Sequence, residues 1–339
     1  MPTIKKKQTI LTWIGGLTSF CVIVVAGTVA AAQTPSPALL VVNKRDSTLA
    51  IVDPRSGKVV GRVPTGDTPH EVAVSADGRL AFAANYGDQT PGNSISVIDL
   101  TTQKELHRVD LGPLRRPHGM VVVDGELYFT AEENKVIARY DASSNKVDWL
   151  LGTGQNRTHM LLFSKDRSTI FTANVDSDSI SAIQHTLGRA DWRETVIPVG
   201  KGPEGMDLSP DGKELWVAHS DEGSFSIINV DTRKVMQTVS VQTQHSNRLK
   251  FTPDGKLVLI SDYGAGDLLI LDAKTHREVK RIKVGGGPAG ILIVPDGSRA
   301  YVADTEGDSL VAIDLQTQEM TGRVFPGGNP DGMAWVPGR

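Results

Sequence analysis

The sequence predicts an all-β fold: a seven-bladed β-propeller of four-stranded antiparallel blades. Three observations predict it. A Ser-x-Asp-Gly turn signature recurs roughly every 42 to 47 residues, which is propeller-blade spacing. Short apolar runs separate those turns in a chain with 34 glycines and 5% aromatic residues, a pattern of many short strands and tight turns. The repeat also starts at a second strand near Leu39 and stops after a first strand ending at Val336. Three N-terminal strands and one C-terminal strand can therefore share a blade, leaving the ring without long open edges.

The N-terminal residues precede the repeats. Lys5, Lys6 and Lys7 lead into an apolar stretch from about Ile10 to Val29, broken by Gly15, Gly16 and Ser19. Ala30-Ala31-Ala32 then offers a small-residue cleavage site before Gln33. Residues 1–32 read as a secretory signal peptide. The alternative is an uncleaved anchor, since the stretch is nearly long enough to span a bilayer. A linker over 33–38 and the propeller over 39–339 complete the expected domain plan. The expected location is periplasmic or secreted. Cys21 is the only cysteine, and Ser19 and Phe20 precede it where a lipidated cysteine would have leucine and glycine. Cleavage would leave no thiol for metal ligation or nucleophilic catalysis.

Within each repeat, Pro-x-Gly opens the first strand and an aspartate-containing turn closes it. The turns are Ser75-Ala76-Asp77-Gly78, Val123-Asp124-Gly125, Ser164-Lys165-Asp166-Arg167, Ser209-Pro210-Asp211-Gly212, Thr252-Pro253-Asp254-Gly255 and Val294-Pro295-Asp296-Gly297. Asp-Gly between apolar runs is a strong hairpin signal. Second strands follow, as in Trp216-Val217-Ala218 and Tyr301-Val302-Ala303. Third strands such as Ile95-Ser96-Val97-Ile98-Asp99 end in Asp53, Asp99, Asp141, Asp272 and Asp314, which predict Asx turns into the fourth strand.

Segments such as Trp216-Val217-Ala218-His219 and Tyr301-Val302-Ala303-Asp304, joined to Val-Ile-Asp strands and Pro-x-Gly openings, resemble the YVTN-repeat β-propellers. That family includes surface-layer-type and periplasmic YncE-like proteins. The resemblance covers the whole repeat region and implies the seven-bladed fold. For function it implies no single reaction. Members include binding proteins of unknown ligand, similar propellers are subunits of quinone-cofactor amine dehydrogenases, and more distant seven-bladed proteins hold copper or iron on channel histidines.

The repeat places particular side chains together. The x of Pro-x-Gly faces the channel mouth, giving a ring of His70, His118, His159, Glu204, Asn247, Ala289 and Asp331. The residue after each second strand returns to the same face, giving an outer ring of Asn43, Asn85, Glu132, Asn174, His219, Asp262 and Asp304. His245, two residues before Asn247, belongs to this face as well. Neutral imidazole is the commonest metal ligand. His70, His118 and His159 with Glu204 suit a divalent transition metal (copper, iron or zinc) with an open position for substrate. Calcium would instead choose the oxygen-rich outer ring. The plainer alternative is a wet channel mouth whose polar side chains bind water.

Glu71, Met160 and Arg248 replace the glycine of Pro-x-Gly. Arg248 reads either as a clamp for a carboxylate or phosphate or as an ion-pair partner of a ring carboxylate. Arg115, Arg116 and Arg157 read as steering charges for an anion or as solvated rim. The long loop Tyr86–Asn93 reads as a gate or as a solvated insertion.

Two functions follow as expectations. The first is a top-face binding site for a small molecule or protein partner, built from Asn247, Arg248, His245, His219, Asp262, Asp304, Glu132 and Asp331. The alternative is a metal-dependent oxidase or lyase on His70, His118, His159 and Glu204, with Glu204 and Arg248 as candidate catalytic groups. The formal net charge of -3 argues against a nucleic-acid partner, and a membrane enters only through an uncleaved anchor. The chain has no phosphate-binding glycine loop, no Gly-x-Ser-x-Gly elbow and no haem-attaching cysteine pair.

Overall fold

The computed structural model describes residues 33–185 and 191–338. The expected leader, with Cys21, lies outside them. Among the described residues no helix is long and apolar enough to cross a membrane.

Seven four-stranded antiparallel sheets form the blades of a propeller. Blades 1 to 6 each take four consecutive strands, and their innermost strands are Pro69–Val74, Pro117–Val123, Thr158–Phe163, Pro203–Leu208, Ser246–Phe251 and Pro288–Ile293. Blade 7 pairs the C-terminal strand Pro330–Val336 with Ala38–Asn43, followed by Thr48–Asp53 and Lys58–Pro64. Leu40 stands opposite Ala334 in that seam. The shared-blade closure read from the repeat phase is therefore present.

Local chemistry sets the turns. At the end of the first strand of blade 1, the Ser75 hydroxyl donates to Asp77 at 2.6 Å, and Asp77 accepts the Arg79 amide at 3.0 Å. Gly78 sits at φ +67°, where a Cβ is disfavoured. Blades 4 and 5 repeat this network with Ser209 and Asp211, and with Thr252 and Asp254. The predicted Asx turns are also there: Asp53, Asp99, Asp141, Asp272 and Asp314 each accept a backbone amide two residues on.

The core lies between blades. Trp216 and Phe225 of blade 4 stack at 4.7 Å and pack with Leu249, Phe251 and Ile260 of blade 5. Second and third strands are buried along both faces because a blade packs on each side, whereas fourth strands such as Lys234–Ser240 are largely exposed. Neighbouring residues along these strands therefore differ in side-chain size, not in exposure. Phe82 beside Ala83 and Trp216 beside Val217 are all buried.

Candidate functional site

The innermost strands start at one end of the channel, and each begins with a bulge. Pairing skips between Pro203 and Met206, for example, and likewise in the other blades. The bulge frees the second residue of each of these strands from the ladder and turns it into the mouth. His70, His118, His159, Glu204, Asn247, Ala289 and Asp331 all line one cavity there, of about 100 Å³. Lys44, Tyr86, Arg157, Arg248 and Tyr263 complete its wall.

The histidines are contiguous. His70 Nδ1 and His118 Nε2 lie 3.3 Å apart, and the His118 and His159 rings are 3.9 Å apart. His159 is clamped between two carboxylates: its Nδ1 donates to Glu132 Oε1, and its Nε2 lies 3.6 Å from Glu204 Oε1. Tyr86 donates to the other Glu132 oxygen at 2.7 Å, and its ring stacks on His70 at 4.2 Å. Asn247 donates to Glu204 at 2.6 Å. Asp331 meets Lys44 at 3.2 Å and His70 at 3.9 Å, across the closure of the ring.

Charge is distributed unevenly over the three imidazoles. Burial holds His70 down to about 4, and Asp331 offsets this only in part. Burial, reinforced by the charge on His159, keeps His118 well below the usual histidine range. Burial alone would lower His159 too, but Glu132 and Glu204 outweigh it and lift its pKa to about 9. Burial opposes ionisation of Glu132 and Glu204, yet His159 holds both below the usual carboxylate range. His118 Nδ1 and His159 Nε2 are buried with no hydrogen-bond partner.

One layer below, Arg248 reaches across the channel from blade 5 to Glu71 of blade 1 at 2.5 Å, and lies 3.6 Å from Glu204. Of the two readings of Arg248, the ion pair is what the geometry shows. Burial outweighs Arg248 at Glu71 and keeps that carboxyl above its usual range. Beneath the pair lies a second cavity of about 240 Å³, with Met120, Met160, Met206 and Met333 in its wall.

The outer ring divides in two. Glu132 belongs to the mouth. Asn43, Asn85, His219 and Asp262 instead bind the loop that enters their own blade. Asn85 accepts from the Gly66 amide at 3.0 Å, and Asp262 accepts from the His245 amide at 2.9 Å. His219 accepts from Gly200 at 3.3 Å through Nε2, so its Nδ1 carries the proton donated to Ser224 at 2.8 Å. Asp304 pairs with Arg323 at 2.6 Å, and Asn174 bonds Ser179 and Ser181 in its own blade. His245 stands at the edge, 3.8 Å from Glu204.

Of the three rim arginines, Arg115 caps backbone carbonyls of Gly112 and Leu114. Arg116 lies 4.6 Å over the Tyr86 ring, bonds Gly87 and Asp88, and so pins the long loop. Arg157 makes only long ion pairs of 3.8 Å, with Glu132 and Asp176. The residues that sequence reasoning missed are Lys44, Tyr86 and Tyr263. Each directly follows an outer-ring residue, so its side chain leaves the strand on the opposite side.

A family model described as YNCE-like beta-propeller matches residues 4–196 and 184–334, and the chain belongs to that family. Among solved structures, Kuenenia stuttgartiensis hydrazine synthase is similar with a TM-score of 0.72 and 20% identity, over 86% of this chain and 98% of that one. The periplasmic gluconolactonase of Pseudomonas aeruginosa is similar with a TM-score of 0.74 and 18% identity, over 89% and 99%. These identities carry the fold alone. Antigen Lp49 of Leptospira interrogans is 27% identical over 84 residues, which are 25% of this chain and 18% of that protein.

Proposed function

We propose that this propeller binds a small anionic ligand, of carboxylate class, in the pit at the top of its channel. The observation that carries this is Arg157. Its guanidinium offers five donors in a planar fork, it lines the pit, and it makes no hydrogen bond within the described residues. A carboxylate matches that fork bidentately. Lys44, with its side chain 22% exposed, supplies a second reachable cation. A pit of about 100 Å³ admits one small group, so a larger ligand would insert its carboxylate and rest its remainder on the rim. The periplasmic gluconolactonase among the structural relatives makes gluconate a sensible first probe. The expected leader would put the pit outside the cytoplasm.

Thermal unfolding with gluconate, acetate and succinate tests the reading. A ligand at a hundredfold its Kd stabilises by about 2.7 kcal/mol. At least one acid should raise Tm for the wild-type chain and for Arg115→Ala, and leave Arg157→Ala unmoved. No shift with any acid, or equal shifts with and without Arg157, would defeat the proposal.

A further inference from the structure

We infer that His118, Glu132 and His159 form a site for one divalent transition-metal ion at the floor of the pit. The inference deepens the ligand reading and rests on it for what fills the ion's open position. One ligand atom from each of the three residues lies within 4.8 Å of the other two. All three side chains are buried, with His118 2%, His159 3% and Glu132 4% exposed. They come from innermost strands of blades 2 and 3 and from the 3-10 turn Glu132–Asn134 between them.

The orphaned nitrogens point the same way. A buried imidazole nitrogen without a partner is costly, and this small cluster holds two, His118 Nδ1 and His159 Nε2. Among the described residues only Asn43, Glu126 and Arg233 carry other such atoms, and none of these lines the pit. A metal ion is a natural partner for His118 Nδ1, and His159 Nε2 has only the Glu204 carboxylate, at 3.6 Å, beside it.

Fixed charge favours a cation as well. Four carboxylates surround the pit floor: Glu71, Glu132, Glu204 and Asp331. Three permanent cations, Lys44, Arg157 and Arg248, and the His159 imidazolium balance them. A divalent ion that displaces the His159 proton leaves an excess of one, which a single bound carboxylate neutralises.

The donor set selects the ion. Two imidazoles and one carboxylate suit zinc, cobalt, copper or iron, whereas calcium and magnesium need oxygen ligands. Three protein ligands leave a fourth position open, which a carboxylate bound in the pit would fill. Tyr86 would act as a positioning residue, because its hydroxyl fixes the Glu132 carboxylate from behind. Around an ion held at about 2.0–2.1 Å, tetrahedral donors are roughly 3.4 Å apart. The donor atoms, within 4.8 Å of one another, must therefore close by up to about 1.4 Å.

The test uses the full chain prepared without a histidine tag and stripped by a chelator, then titrated with cobalt(II) and followed by the ion's visible absorption. One equivalent should bind. His118→Leu should reduce affinity by more than about a hundredfold, since even outer-shell changes cost 10–100-fold. Its circular dichroism should stay native, because leucine fills the buried position and only the bond to His70 is lost. Glu132→Gln should also weaken binding, while Arg115→Ala should bind as the wild type does. No cobalt uptake, or uptake unchanged in both His118→Leu and Glu132→Gln, would overturn the inference. The two proposals fail separately. Gluconate binding without cobalt binding removes only the metal, and cobalt binding without any carboxylate effect removes only the ligand.

Discussion

Replacing Arg248 by methionine removes the cation that bridges the channel beneath the pit. Arg248 is buried and faces Glu71 at 2.5 Å and Glu204 at 3.6 Å. Breaking a buried pair by removing one partner costs about 3–5 kcal/mol, because the other charge is left uncompensated. Glu204 keeps Asn247 and His159, so the burden falls on Glu71. For about 300 residues, an unfolding entropy near 2.1 cal/mol/K per residue makes each kcal/mol worth about 1.6 °C, so Tm should fall by roughly 5–8 °C. The double variant Glu71→Met with Arg248→Met should behave differently. Burial already outweighs the pair at Glu71, and apolar replacement of such a pair is often neutral or stabilising. Thermal unfolding of both single variants and the double variant at pH 7 gives the coupling energy. A Tm loss under 2 °C for Arg248→Met, or a double-variant loss equal to the sum of the singles, would refute this account of the layer.

Four other outcomes can be checked. His219 titrates near 4 when folded because of burial and near 6.5 when unfolded. The unfolded chain thus binds the extra proton in that window, and stability falls as pH drops from 6.5 to 4, by at most about 3 kcal/mol. His219→Asn should keep the bond to Gly200, as Asn85 does with Gly66, and flatten this part of the urea-unfolding pH profile; parallel profiles would contradict it. Tyr86→Phe removes a donor to a buried carboxylate, so Tm should fall by about 2–5 °C and cobalt affinity about tenfold; an unchanged affinity would deny Tyr86 its positioning role. Gly205→Ala would place a Cβ 2.6 Å from the Arg248 Cα, costing about 1–3 kcal/mol, whereas Gly322→Ala meets nothing within 4 Å; similar Tm values for the two would count against close strand packing. Exported protein should begin at Gln33 by intact-mass analysis, and a full-length mass would mean an anchor instead.

Much of the site was legible because a repeat converts sequence phase into angular position. His70, His118, His159 and Glu204 are separated by 41 to 48 residues in the chain, yet the common Pro-x-Gly phase puts them at one mouth. Phase could not say which way a strand's last residue points. Glu132 turns inward because the chain enters a 3-10 turn at that residue, with Lys135 in the left-handed region. His219, Asp262 and Asp304 stay in the strand plane and are consumed by their own loops. A one-residue step flips the side chain, which is why Lys44, Tyr86 and Tyr263 reach the pit and Asn43, Asn85 and Asp262 do not. The roles of Arg115, Arg116 and Arg157 were likewise undecidable from type and spacing alone. Only their partners distinguish a capping, a pinning and an uncommitted guanidinium.

The layer beneath the mouth explains why a channel through seven blades offers a shallow pit and not a pore. Around the ring, the residue after x is Glu71, Gly119, Met160, Gly205, Arg248, Gly290 and Gly332. Every large side chain there is flanked by glycines. The glycines let neighbouring innermost strands approach: a Cβ on Gly332 would lie 2.8 Å from the Glu71 Cα, and one on Gly119 would lie 2.8 Å from the Met160 Cα. Three large residues can then fill the narrowed centre, and two of them carry opposite charge and meet across it. Arg248 forms part of both the upper and the lower cavity wall, so the ion pair with Glu71 separates them. A ligand must then enter and leave by the top face, past Arg157 and the loop that carries Tyr86. Those two residues, not the channel, are where exchange would be controlled.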